Sequence, residues 1–311
     1  MRSMSALWML VAALLFSLMG AMAKFAIQQY GVLEVVFYRS LIGVAVLYAF
    51  VRWRGTTLAT PVARTHLTRG VVGTAALSLW FYATGALPLG TAMTLNYTSP
   101  LFLAGMVVGV TVRSGDPVNW RLVVAIAIGF VGVVLLLQPT YSSDQAVAAI
   151  AGLVSGVLSA AAYWYVRTLG QLKEPEWRTV FYFALSGTLI GLIGTIAHGF
   201  SPHDARGAAL LAGVGITATL AQLAMTRAYA HGHTLVVANL QFVAVVSASL
   251  IGIAVFGDHI PVIGWVGIAI IIVSGITSTV LITRQRVTLA VDNVAHTPLP
   301  EPSEPRWPTR P

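Results

Sequence analysis

Ten apolar stretches, each near twenty residues and joined by short polar connectors, leave few folds open to this chain. They fall approximately at 4–24, 32–52, 67–87, 90–112, 119–138, 146–168, 177–198, 207–229, 232–256 and 260–283. About 20 apolar residues in a helix cross the roughly 30 Å hydrocarbon core of a bilayer. Inside that core the backbone must satisfy its own hydrogen bonds, so a spanning segment of this length is helical. Only 9% of the residues are charged and mean hydropathy is +0.82, where a soluble domain carries about 25% charge. The predicted fold class is an all-α polytopic membrane protein with ten transmembrane helices.

The chain also repeats itself at an offset of 142 residues. Without a gap, the stretch from Val72 lies over Val214–Gln222 and Thr226–Thr279, placing Gly73 on Gly215, Thr84 on Thr226 and Gly90 on Gly232. Gly115-Asp116 falls on Gly257-Asp258, and Val124–Val131 on Val266–Val273. Internal repeats in a membrane chain are a mark of transporters. Five spans per half is an odd number, so the second half enters the membrane inverted. The expected organisation is a first five-helix repeat at 1–140, a second, inverted one at 141–286, and a central cavity between them. A Pro-rich tail at 287–311 is predicted to be a disordered cytoplasmic extension. The first 23 residues imitate a cleavable signal peptide, but removing them would break the matched halves, so they are read as a retained helix.

The net charge of +8 follows topology. All but two of the basic residues are Arg, and they gather in alternate connectors, among them Arg52, Arg54, Arg64, Arg69, Arg113, Arg121 and Arg178. The opposite connectors hold only Arg206. The positive-inside rule then places both termini in the cytoplasm of a bacterial inner membrane. Charge scattered over short loops is no nucleic-acid surface. Zero cysteine excludes disulfides and thiolate metal sites. No phosphate-cradling Gly-rich loop is present, so ATP does not drive the protein directly. No cofactor is called for.

Two runs carry a resemblance: Leu87-Pro88-Leu89-Gly90-Thr91-Ala92, and Tyr97-Thr98-Ser99-Pro100-Leu101-Phe102. With Phe37-Tyr38-Arg39, and with Ala228–Asn239 through Phe256-Gly257-Asp258 in the second copy, the chain resembles the EamA type of the drug/metabolite transporter superfamily over about residues 5–283. The resemblance implies a ten-helix fold around a central cavity, moving small metabolites by alternating access, with amino-acid exporters among its members. The chain departs from the family in having Asp116 and Asp258 where glutamate is common, and no acid within Leu10–Met22.

Arg39 is the foremost candidate for contacting an anionic group. It lies on the order of 10 Å inside the edge of its span, and a charge near mid-bilayer, costing about 2.5–3.5 kcal/mol, normally faces a partner or a wet cavity. Tyr38 accompanies it. Lys24 and Glu34 are expected to meet across the first hairpin, either as a structural pair or in a substrate role. Pro100 removes one helical hydrogen bond and frees the Asn96 carbonyl, so Asn96 and Tyr97 are expected to line a cavity, with Asn239 and Gln241 at comparable depth in the inverted half. Trp80 and Tyr82 belong to one aromatic triplet, Tyr163 and Trp164 to another, and each triplet reads either as interface anchors or as a wall of π-faces. Asp116 and Asp258 read as helix caps. His231 and His233 lack further ligands for a metal site. Gly105/Gly109, Gly152/Gly156 and Gly187/Gly191 are expected to let helices approach within the bundle, so nothing requires an oligomer and a monomer suffices.

These features predict a secondary transporter whose partners are a small-molecule substrate and membrane lipid. The expected activity is export of neutral or aromatic amino acids by a facilitator or exchanger. An importer, or a proton-coupled drug exporter of the same fold, is the alternative. A membrane enzyme would need converging acids or a nucleophile with its base, which the spans lack.

Overall fold

The computed structural model describes residues 2–115, 119–137, 143–231 and 240–295. Within them the chain is helical and forms a polytopic membrane bundle. The helices are α1 Arg2–Gln29, α2 Val32–Arg54, α3 Ala63–Ala86, α4 Leu89–Asn96, α5 Ser99–Ser114 and α6 Trp120–Leu137. They continue with α7 Ser143–Gln171, α8 Glu176–His198, α9 Ala205–His231, α10 Val243–Phe256 and α11 Val262–Ala295. Among the described residues, seven segments are long and apolar enough to cross a bilayer, and Trp120–Leu136 and Val243–Phe256 are apolar but shorter. Large aliphatic side chains such as Leu14, Val134, Ile193 and Val273 point outward, as lipid-facing helices require, while serines and threonines turn inward. Helix association in lipid relies on small-residue packing and hydrogen bonds, and both are visible. Ser17 donates to the Ala244 carbonyl at 2.9 Å, joining α1 to α10.

The fourth span is split. Pro88 stops α3 and starts α4, and α4 ends at Asn96 because Pro100, in the first turn of α5, cannot continue its ladder. The freed carbonyl packs against α7. It lies against Gly156 of α7, where a Cβ would stand 3.3 Å from the Asn96 oxygen and 2.7 Å from that of Leu95. Glycine is required for this close approach. Both α5 and α10 end on a left-handed glycine, Gly115 (φ 76°) and Gly257 (φ 65°), which stand at matched positions of the two sequence copies.

The packing has the same correspondence. α1 lies along α9 and α3 along α7, while α2 pairs with α8 and α6 with α11. Exchanging the two halves leaves this pattern unchanged. At the α6–α11 crossing, Ser274 Oγ donates to the Ala125 carbonyl, and Gly132 meets the Gly267 carbonyl so closely that a Cβ would stand 2.9 Å from it. Shifting either contact by the repeat offset produces the other.

Several expectations are revised. Asp258 does not cap the last helix: its carboxylate accepts from the Leu89 backbone N–H at 2.7 Å, capping α4, and from Lys24 Nζ at 3.0 Å. Gly152/Gly156 and Gly187/Gly191 do pack inside the bundle, but nothing lies within 4 Å of a Cβ at Gly105 or Gly109. α11 runs on to Ala295, past the expected start of the tail at 287. Asp116, His233, Asn239 and residues 296–311 lie outside the described residues.

Candidate functional site

A cavity of about 610 Å³, including its opening, lies between α1, α2, α3, α4, α7, α8 and α9. Its floor is apolar, from Phe16, Met19, Leu77, Met93 and Met225, and its polar wall comprises Arg39, Arg69, Trp80, Asn96, Tyr97, Ser159, Tyr163 and Gln222. Among the described lining residues there is no carboxylate.

The two arginines define its electrostatics. Arg39 enters from α2 and Arg69 from α3, and both stand over the ring of Phe183 on α8, with Cζ 5.0 Å and 3.9 Å from its centroid. They are 5% and 3% exposed. Arg39 Nε and Arg69 Nε and Nη1 are buried with no hydrogen-bond partner. Cation–π contact with one ring is worth on the order of 0.5–2 kcal/mol, less than the cost of holding each charge in the membrane interior. That imbalance is unfavourable for stability alone and makes the pair a candidate binding site. Gly73, one helical turn from Arg69, makes room for it: a Cβ there would lie 2.5 Å from Arg69 Nη1 and 3.1 Å from Phe183 Cε2.

The Asn96 amide is held by α7, its Nδ2 donating at 3.0 Å to both Ser155 and the cavity-lining Ser159. The indole N–H of Trp80 is buried without a partner. The groups buried on this wall without a partner, the two guanidinium ions and the Trp80 indole, are donors, and a solute that supplies acceptors answers them.

Of the residues singled out by sequence, the cavity gathers Arg39, Trp80, Asn96, Tyr97 and Tyr163. Others go elsewhere. Lys24 does not meet Glu34; it bonds Asp258 and the Leu87 carbonyl. Glu34 instead accepts from Ser201 N–H and Oγ, with His203 Nε2 at 3.4 Å. The α1–α2 turn is too tight to fold Lys24 back onto Glu34, whereas the α8–α9 loop reaches it directly. Tyr38 packs on Phe37 and His203, one helical step away from the face bearing Arg39. Tyr82 and Trp164 are each 43% exposed on the outer surface, because consecutive helical residues cannot share a face. Pro100 and the buried Gln241 do not line the cavity.

Arg69, Phe183 and Gln222 were missed. Arg69 was counted among the topogenic connector charges, but it lies in the second turn of α3 and points inward. The signal was local: the glycine at 73, one turn along the same face, leaves room for a long side chain at 69. Near the helix ends on the Arg69 side, a second polar cluster ties loop to helix. Glu174 accepts from Arg178 Nη1 at 3.0 Å and Thr60 Oγ1 at 3.1 Å, with His66 Nε2 at 3.2 Å. The His66 ring stacks on Tyr182.

Residues 3–138 match the EamA-like transporter family. The chain is 30% identical over 239 residues to the pseudopaline exporter CntI of Pseudomonas aeruginosa, covering 76% of this chain and 82% of that one. It is 28% identical over 278 residues to a riboflavin transporter of Vibrio cholerae, covering 86% and 90%. A protein known from its crystal structure shares the fold with a TM-score of 0.63 at 20% identity, over 92% of this chain and 99% of the other. The chain belongs to the EamA-like transporter family of the drug/metabolite transporter superfamily, secondary transporters of small metabolites and not enzymes.

Proposed function

We propose that this chain exports small organic acids with a flat apolar portion, acting as a facilitator or exchanger in a bacterial inner membrane with both termini cytoplasmic. The observation that carries this reading is a buried Arg39 in a cavity whose described lining holds no carboxylate. A substrate carboxylate gives Arg39 its missing partner, and Trp80, Tyr163 and Phe183 receive an aromatic or apolar body. Aromatic amino acids, the class expected from the sequence, satisfy half of this geometry. Their ammonium group would sit beside two guanidinium ions with no acid to receive it, so acids lacking that amine fit better. Export rather than uptake is supported by the similarity to the Pseudomonas pseudopaline exporter. With no acid on the described cavity wall, a proton carrier is missing there and transport follows the solute's own gradient.

Counterflow in proteoliposomes tests this. Phenylpyruvate should accumulate without a pH gradient, and Arg39→Gln should lower its rate by about tenfold or more, the loss expected for a charge-assisted hydrogen bond. L-phenylalanine should compete poorly. Selection for amines or neutral solutes over carboxylates would overturn the reading.

A further inference from the structure

The cavity holds a second cation that a substrate with one carboxylate would leave unanswered. We infer that Arg39, Arg69 and Trp80 form a single receptor for a dianion, so that the transported class carries two negative charges, as two carboxylates or as one phosphate monoester. This rests on the organic-acid reading above and sharpens it.

Three observations converge. Arg39 and Arg69 come from different helices yet stand over the same Phe183 ring, which sets their charges in one neighbourhood. Each guanidinium is almost wholly buried and has donor nitrogens without a partner. The third bare donor, Trp80 Nε1, lines the same space, and an indole N–H can only donate. Asn96 adds no free donor to this set, because its Nδ2 already donates to Ser155 and Ser159. Two like charges held close together in a low-dielectric site repel, and binding a single anion neutralises only one of them. A dianion neutralises both and takes up all three donors, which gives it an advantage that a monoanion of the same shape cannot match. Gly73 is part of the same device, because a side chain there would occupy the position of Arg69 Nη1.

The test compares shape-matched pairs on purified full-length protein at pH 8: phenylsuccinate against 3-phenylpropanoate, and phenyl phosphate against benzoate. Competition with labelled phenylpyruvate gives relative affinities. At least one dianion should outcompete its monoanion by about tenfold or more. Arg69→Gln should abolish that advantage, Arg69→Lys should restore it in part by returning the charge without the planar fork, and Trp80→Phe should reduce it with the ring retained. A winning dicarboxylate indicates two groups held apart by the aromatic body; a winning phosphate indicates one headgroup shared by both arginines. Melting in detergent separates binding from folding. Arg69→Gln removes a buried charge whose contact with the Phe183 ring is worth less than its burial costs, so it should melt no lower than wild type. Equal competition by dianions and monoanions, or an unchanged advantage in Arg69→Gln, overturns the dianion receptor and leaves the organic-acid reading standing. Failure of every anion to compete overturns both.

Discussion

Arg69 and Gly73 act as a unit one helical turn apart, and the unit can be broken without touching the charge. Gly73→Ala places a methyl 2.5 Å from Arg69 Nη1, a contact the flexible guanidinium escapes only by moving off Phe183. The expected result is a loss of dianion competition of about tenfold with little change in melting temperature. The two aromatic triplets give a paired contrast. Trp164→Ala should transport at the wild-type rate because that ring lies on the outer surface, whereas Trp80→Phe should not. At this scale the sequence exposed Arg39, since a lone arginine inside an apolar run is conspicuous. It concealed Arg69, since an arginine six residues into a span, close to Arg64, looks like one more connector charge. Only the direction of its side chain distinguishes the two, and that depends on the neighbouring helix that supplies Phe183.

Among the elements, the ends of the helices are fastened by polar clusters rather than by core packing. Lys24, Asp258 and the Leu89 N–H tie α1, α4 and the α10–α11 connection together, and the Lys24 ammonium also sits 4.6 Å from the centre of the Phe256 ring. Asp258→Ala removes a cap and leaves a mostly buried ammonium unpaired, so it should destabilise the protein by about 2–4 kcal/mol, read as a lower melting temperature. Lys24→Met should cost less, because the cap on α4 survives. At the other ends, burial pushes the Glu174 carboxyl up, but hydrogen bonds from Arg178, His66 and Thr60 outweigh it and hold it below the usual carboxylate range. A depressed folded pKa stabilises fully above the ordinary carboxylate value, and the contribution is lost as pH falls through the depressed one. Melting temperature should therefore drop on acidification, and Glu174→Gln should flatten that slope. Pro100 made the break in the fourth span legible in the sequence. The partners of Lys24 and Glu34 were not legible, because they come from loops more than 160 residues away.

For the molecule as a whole, the repeat reappears as contacts. The Ser274–Ala125 and Gly132–Gly267 approaches are copies of each other across α6 and α11, and the matched glycines at 115 and 257 end matched helices. Two inverted halves, 1–140 and 141–286, would place the ends of α5 and α10 on opposite sides of the membrane. The absence of native cysteine makes this simple to test. Arg113→Cys should react with an impermeant maleimide only from the cytoplasmic side, and His259→Cys only from the other. Labelling of both from one side would contradict the inversion.

Length and polarity of the apolar runs determined, without any structure, that the chain crosses a membrane as helices, since a lipid solvent leaves the backbone no other way to satisfy its hydrogen bonds. The repeat offset and the break at Pro100 were likewise readable, because each depends on residue order alone. The tertiary structure decided which polar side chains share the cavity. That outcome depends on helix rotation and on partners far away in the chain, and a pair of charges meeting over one phenylalanine ring leaves no pattern in either helix taken alone.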